Sequence, residues 1–329
     1  TSGIANATLL SMLTVPATDI LSNSETQDTF TWTFDSGSEA FDYLADGESL
    51  VLTYTVTATD SELSTDTQTI TITINGTNDA PDITVEAGDS VAETLSESNI
   101  GLSVSDTLTL TDLDTTDTVG VAVTSVVESG DTSGIANATL LSMLTVPATD
   151  ILSNSETQDT FTWTFDSGSE AFDYLADGES LVLTYTVTAT DSQTSTDTQT
   201  ITITINGTND APVIDSVAQT GTITESVDNV GGTDADPSNA TGTITFDDTD
   251  LSDAPTASIT SSTISGGTAT LSAAQSSALL DNFVLGTLVD NADGSGSVGW
   301  TYDVPNSEID FLAAGETVEL TYTVEIDDN

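Results

Sequence analysis

Ile201-Thr202-Ile203-Thr204-Ile205-Asn206-Gly207-Thr208-Asn209-Asp210-Ala211-Pro212 occurs twice in this chain, first as Ile70 to Pro81. Isoleucine and threonine alternate strictly. One face is therefore apolar and the other carries hydroxyls, as in a half-buried strand. Asn206-Gly207 ends the strand, since both residue types tolerate positive φ. Asn209 and Asp210 then bring three side-chain oxygens together. Pro212 has no N–H and drives Ala211 towards an extended conformation. The stretch reads as a β-strand running into a stiff joint with oxygen ligands in it.

The match extends outward from this stretch. Thr1 to Pro81 recurs as Thr132 to Pro212, and only Glu62/Gln193 and Leu63/Thr194 differ. A divergent third copy follows. Trp163-Thr164-Phe165-Asp166 reappears as Trp300-Thr301-Tyr302-Asp303, and Leu183-Thr184-Tyr185-Thr186-Val187 as Leu320-Thr321-Tyr322-Thr323-Val324. Repeats at this spacing indicate an array of similar domains. With the Asn-Asp-Ala-Pro joints as boundaries, the domains run 1–78, 79–209 and 210–329. The first then lacks its opening part and the third its closing strand, as in a window cut from a longer array. Completion of the broken ends by strands from neighbouring molecules is the other reading.

In the middle copy, strands are expected at 83–86, 90–93, 106–112, 119–127, 160–166, 180–190 and 197–206. That is a β-sandwich somewhat longer than a common immunoglobulin-like domain. Phe161, Trp163 and Phe165 alternate towards one inward face. A helix is expected at 273–282, with Ser272 as N-cap and Gln275 completing a capping box. Its counterpart near 138–144 would be capped by Asn137. The fold class is all-β: tandem immunoglobulin-like β-sandwich domains arranged head to tail.

The 329 residues include no lysine, arginine or histidine against 54 acids, a formal charge of -54. No internal salt bridge can form. Each carboxylate must face water, accept a hydrogen bond or hold a bound cation. Nucleic acid and anionic membranes are poor partners, because phosphate contacts need basic side chains. Hydrophobic content is 36% and is concentrated in patterned runs, which argues for folded domains over charge-driven disorder. Cysteine is absent, so no disulfide, thiol nucleophile or thiolate metal site exists. No apolar run is long enough to insert in a membrane as a helix.

The acids form a pattern. Asp112-Leu113-Asp114-Thr115-Thr116-Asp117 recurs as Asp248-Thr249-Asp250-Leu251-Ser252-Asp253, each D-x-D-x-x-D after an alternating strand. Calcium takes about six to eight oxygens, and carboxylates two apart in a loop converge on it; magnesium keeps water and stricter geometry. A solvated turn with aspartates capping backbone N–H groups is the plainer alternative. Recurrence of the motif and the lack of any internal cation weigh against it. Other acids recur: Glu93 and Glu225 after the joints, Asp60, Asp191 and Asp328 at the end of the Tyr-Thr-Val strand, and Glu48 and Glu179 before it. One calcium cluster is expected per joint. The first would join Asp60, Asn78 and Asp79 with Glu93, Asp112, Asp114 and Asp117. The second would join Asp191, Asn209 and Asp210 with Glu225, Asp248, Asp250 and Asp253. Glu48 and Glu179 are lesser candidates, read equally well as exposed turn glutamates.

The joint, the Asp248-x-Asp250-Leu251-Ser252-Asp253 run, Trp300-Thr301-Tyr302 and Leu312-Ala313-Ala314-Gly315-Glu316 resemble VCBS repeats, within a wider set of cadherin-like bacterial repeats. The joint also resembles the cadherin linker, though its length differs and the acidic pattern is less complete. The resemblance implies very large, RTX-type secreted or surface adhesins of Gram-negative bacteria, often exported by type I secretion. In these, the repeats are calcium-stiffened extenders that hold a distal binding region away from the cell, as in biofilm adhesion. Expected partners are neighbouring repeats of the same chain. The alternative is a subunit of an extracellular filament, sheath or surface layer, contacting identical chains by strand exchange or laterally. A repeat that itself binds sugar is disfavoured by scarce exposed aromatics.

An enzyme is not expected. Without His, Cys or Lys, the common nucleophile–base pairs cannot form. A carboxylate pair, as in glycoside hydrolysis, remains chemically open, but duplication argues against a single active site.

Overall fold

A computed structural model describes residues 3–227, 237, 239–291 and 293–328. Strand accounts for 43% and helix for 7%, so the chain is all-β.

The middle copy is the fullest. One sheet has the order Asp82–Thr84, Ser103–Thr111, Gln158–Asp166, Leu144–Thr145. The other has Ala92–Ser96, Thr196–Asn206, Ser180–Asp191, Val119–Ser129. Gln158–Asp166 in one sheet and Ser180–Asp191 and Thr196–Asn206 in the other alternate, so the inner faces meet in one core that includes Leu108, Phe161, Trp163, Leu183, Tyr185, Ile201 and Ile203. Trp163 is fully buried, and its Nε1 donates to the Ser90 carbonyl at 3.0 Å. Tyr185 spans the core and its hydroxyl donates to the Leu140 carbonyl at 2.9 Å, tying the short helix to the sheet. Tyr54 does the same with Leu9, and Tyr322 with Leu279.

Where the strands differ from expectation, turns explain it. The segment 83–93 contains two short strands, Asp82–Thr84 and Ala92–Ser96, rather than strands at 83–86 and 90–93. Gly88 at φ 110° and the Asp89 carboxylate, which accepts from Glu86 N at 3.0 Å, close the chain between them. Ser272 and Gln275 form the capping box on Ala273–Leu280. The counterpart helix is Asn137–Ser142, and its N-cap is Ala136 without a side-chain bond. Asn137 is not the cap: its Nδ2 donates to Val126 O and Glu128 Oε2 instead, anchoring the helix to the neighbouring strand.

The joint glycine is also explained differently. Neither Asn206 nor Gly207 has positive φ. A Cβ on Gly207 would lie 2.1 Å from Leu175 O and 2.2 Å from Ala176 O. The strand end is pressed against the 172–179 turn, where Gly207 N donates to Glu179 O at 3.0 Å. Glycine is needed there for close approach, not for a left-handed turn.

The first and third copies have cores of their own. Leu9, Met12, Phe41, Leu44, Leu52 and Tyr54 form one; Leu279, Val304 and Ile309 form the other. In the third, Val213–Ile214, Ala240–Asp247, Ser295–Tyr302 and Phe283–Asp290 form one sheet, and Thr256–Gly267 pairs with Val318–Asp327 in the second.

Gly207→Ala is expected to destabilise the chain by about 1–3 kcal/mol, because both clashing atoms are backbone carbonyls that cannot rotate away. Calorimetry should show a lowered unfolding transition; an unchanged one would contradict the close approach.

Candidate metal centre

Each Asn-Asp joint places its residues at the end of the copy it leads into. At the first joint, Asn78 Nδ2 donates to Asp191 Oδ2 and to Ser195 Oγ, both at 2.9 Å. Asp79 N donates to Asp114 Oδ2 at 2.8 Å. The D-x-D-x-x-D segment closes on itself as a turn: Asp114 N donates to Asp112 Oδ1 and Asp117 N to the Asp114 carbonyl. Asp191, at the end of its strand, shares this space. Oxygens of Asp112, Asp117 and Asp191 all lie within 4.8 Å of one another. Asp112, Asp114, Asp117 and Asp191 are all buried.

The second joint repeats the plan. Asp210 N donates to Asp250 Oδ2 at 2.7 Å, and Asn209 Nδ2 to Asp328 Oδ2 at 3.2 Å. Oxygens of Asp248, Asp253 and Asp328 approach within 4.8 Å. Asp250 and Asp248 are buried.

A third group lies on the other side of this joint. Oxygens of Glu97, Asp173 and Asp210 also converge within 4.8 Å. Glu97 Oε1 accepts from Thr208 N at 2.9 Å and from the Thr208 hydroxyl, and Glu97 N donates to Asn206 O at 2.8 Å. Asp210 thus faces both ways: its N–H serves the third copy and its carboxylate faces two acids of the middle copy.

These acids are not satisfied by protein donors. Asn78 Oδ1, Asp112 Oδ2, Asp114 Oδ1 and Asp117 Oδ2 are buried without a hydrogen-bond partner, as are Asp248 Oδ2, Asp250 Oδ1, Glu97 Oε2, Asp173 Oδ1 and Asp210 Oδ2. A buried carboxylate oxygen with no donor and no counter-charge is strongly unfavourable. Burial, followed by repulsion from Asp114, Asp117 and Asp191, pushes the Asp112 pKa up to about 6. Burial, followed by Asp253, Asp210 and Asp248, pushes Asp250 up to about 6. Burial and neighbouring acids also raise Asp114, Asp173, Asp248 and Asp253. A donor set of hard oxygens alone, from carboxylates and one amide, fits a calcium-type cation. Asn78, Asp112, Asp114, Asp117 and Asp191 would hold it at the first joint. Asn209, Asp210, Asp248, Asp250, Asp253 and Asp328, with Glu97 and Asp173, would do so at the second.

The membership differs from the sequence expectation at Asp60, Asp79, Glu93, Asp191 and Glu225; Asp79 gives the first joint its N–H, and its carboxylate joins no group among the described residues. Asp191 sits with the first joint, not the second, and Asp328 takes its place in the second. Asp60 is not brought to Asn78; its Oδ1 accepts from Glu62 N and Ser64 N and caps its own hairpin. A strand-end acid meets the joint that precedes its copy, because the strand runs back towards the entry end. Glu93 lies within the Ala92–Ser96 strand opposite Ile203, away from either group. Glu225 precedes Ser226, whose N–H donates to Asn306, and joins no group among the described residues. Glu48 and Glu179 accept from Ala45 N and Ala176 N within their own turns. Glu179 is nonetheless close enough to Asp253 to raise its pKa.

Glu97 and Asp173 were not anticipated. Aligning Thr94-Leu95-Ser96-Glu97-Ser98 with Thr222-Ile223-Thr224-Glu225-Ser226 makes Glu97, not Glu93, the counterpart of Glu225. Asp173 recurs in all three copies, as Phe41-Asp42-Tyr43, Phe172-Asp173-Tyr174 and Ile309-Asp310-Phe311.

No family model matches this chain, and no curated protein does. Among solved structures, the extracellular cadherin domains 1–4 of protocadherin gamma B7 align at 12% identity, covering 95% of this chain and 66% of that one, with a TM-score of 0.34. Domains 1–3 of mouse protocadherin-24 align at 13%, covering 95% and 88%, with a TM-score of 0.33. The CooA pilin subunit of enterotoxigenic Escherichia coli aligns at 15%, covering 39% and 99%, with a TM-score of 0.25.

In chelator, the raised carboxylates give a signed pH dependence. Asp112 and Asp250 titrate near 6 when folded, above the unfolded value of about 3.9. Their contribution is full below about pH 4 and is lost as pH rises through about 6. The melting temperature without divalent ions should be higher at pH 5 than at pH 7.5, with Asp112→Asn plus Asp250→Asn flattening the slope. With millimolar calcium the order should reverse, since ligation needs deprotonated carboxylates. Thermal melts across this range check both signs; the same slope in both buffers would refute the metal assignment.

Proposed function

We propose that this chain is a run of calcium-stiffened extender repeats, with boundaries near 1–78, 79–209 and 210–329. The setting that fits is a large extracellular bacterial adhesin, as the VCBS-like residues imply, and the role is non-catalytic. The observation that carries this reading is the set of buried, donorless carboxylate and amide oxygens at both joints. A chain with no cation of its own leaves them to a cation from outside.

The residues do three things. Asn78 and Asn209 fix their side chains against the strand-end acids Asp191 and Asp328. Asp79 and Asp210 lock the linker backbone onto the D-x-D turn through their N–H groups. Glu97 holds Thr208 and so fixes the exit from the preceding sandwich. Calcium, when bound, supplies the positive charge that offsets the repulsion among these acids. The linker is then clamped from both sides, and adjacent sandwiches lose freedom to hinge. In calcium-poor surroundings repulsion loosens the joint, which suits passage through an export channel; outside the cell the joint closes.

Calcium at about 100 times its dissociation constant would add roughly 2.7 kcal/mol per independent site to folded-state stability. Small-angle X-ray scattering of the full chain is expected to report a stiffer particle with millimolar calcium than with excess chelator. Asp248→Ala with Asp250→Ala should make the second joint flexible in calcium while leaving the middle sandwich folded. Equal stiffness in both variants and both buffers would mean that packing and Pro81 and Pro212 hold the joints instead.

A further inference from the structure

The solvent side of one middle-copy sheet has a chemistry of its own. The sheet is ordered Ala92–Ser96, Thr196–Asn206, Ser180–Asp191, Val119–Ser129. Outward on Ser180–Asp191 come Ser180, Val182 and then threonine at every second residue to Thr190. On Thr196–Asn206, threonine repeats at every second residue from Thr196 to Thr204, before Asn206. Four threonine pairs lie directly opposite one another: Thr184 with Thr202, Thr186 with Thr200, Thr188 with Thr198 and Thr190 with Thr196. The two edge strands add only glycine, alanine, serine, threonine and valine to this side. No outward residue of the four strands is an acid, in a chain that has 54. Asp150 alone reaches a far corner, where a Cβ on Gly120 would lie 3.2 Å from its carboxylate.

Sheet chemistry does not force this neutrality. Acids set directly opposite each other on a sheet repel, but an acid opposite a neutral residue is accepted. In the third copy, Glu319 and Glu325 are exposed and pair with Gly266 and Ser258. They stand where the middle copy has Val182 and Thr188 and the first has Val51 and Thr57. The acid-free face thus belongs to the two near-identical copies and not to the fold as such.

We propose that this face is a lateral contact with the same face of a second copy of the chain. Charge selects that occupant. Two chains that each carry -54 repel, and here they can touch without setting carboxylate against carboxylate. A basic partner would be drawn to the acidic surfaces instead. A hydroxyl donates as well as accepts, so a threonine face is complementary to itself, as a two-fold contact requires. The extent is sufficient. Strands of 11 and 12 residues form its centre. At about 3.3 Å per residue and about 4.8 Å per strand, the four strands cover about 35 by 19 Å, roughly 650 Å² per chain. A standard interface takes about 800 Å² per partner. The joint acids take no part, so this contact stands or falls separately from the cation reading.

Analytical ultracentrifugation of the full chain in millimolar calcium tests it. Reversible self-association is expected, and it should tighten as sodium chloride rises from about 0.05 to about 0.5 M. Salt screens repulsion between the remaining acids, and a neutral contact has no ion pair to lose. Val51→Glu, Thr57→Glu, Val182→Glu and Thr188→Glu together place the third copy's acids on both neutral faces. The dissociation constant should then rise at least about a hundredfold, since like charges set across an interface are strongly unfavourable. Should that variant misfold, a bulky maleimide coupled to Ser125→Cys after folding gives the same readout, because the chain has no other cysteine. It should block association, whereas the same group on Thr263→Cys, on the third copy's acidic face, should not. A chain that stays monomeric up to about 1 mM at every salt concentration would overturn the proposal. So would association that neither the glutamates nor the Ser125 adduct weakens. Association abolished by chelator yet untouched by the glutamates would mean cations bridging acidic surfaces, and would overturn it too.

Discussion

Buried carboxylates that keep an oxygen without a donor, and have no counter-charge, dominate this structure. The chain has no lysine, arginine or histidine, so no fold of it can supply a cationic side chain to such a group. Yet the burial is concentrated, not scattered. Asp112, Asp114, Asp117 and Asp191 are nearly inaccessible together, beside the linker that enters the middle sandwich. Isolated aspartates in turns would face water. Placing four of them in one enclosed space is costly unless something outside the chain meets them. The joint geometry, the raised carboxylates and the proposed stiffening all descend from that one constraint.

The sandwich provides the means. Alternating strands create two apolar faces, and their union fixes which ends of which strands lie together. Tyr54, Tyr185 and Tyr322 each reach from a strand to a helix carbonyl, so the three copies share the same internal brace despite divergence in the third. Because the brace and core are fixed, the acid at the end of the long strand arrives beside the D-x-D turn in both the middle and the third copies. The acidic cluster is thus positioned by apolar packing some distance away.

The all-β class, the strand pairs around Tyr185 and the D-x-D turns could be read from alternation and recurrence. Grouping of the acids could not. Sequence order suggests that Asp60 meets Asn78, since both lie shortly before the joint. Chain direction decides otherwise: the strand carrying Asp60 runs away from that joint, and the following strand returns to it. Glu97 is masked in the sequence because Val91-Ala92-Glu93 and Thr94-Leu95-Ser96-Glu97, four residues apart, both resemble the segment ending at Glu225. Gly207 marks the strand end in the sequence, where tolerance of positive φ is the expected reason; the structure gives close backbone approach instead. Alternation reveals which face of a strand is buried; it does not reveal that a carbonyl lies 2.1 Å from where a Cβ would sit.

Ala92–Ser96 lies parallel to Thr196–Asn206, the last strand before the second joint. Tension applied along the chain draws these two strands in opposite directions along their common axis. Their ladder is therefore loaded in shear, with its bonds strained at once, rather than peeled open one at a time as an end-opened hairpin would be. Resistance to rupture under flow or traction is thus built into the order of the strands, and the sandwich can carry load even where its rim contributes nothing to cohesion.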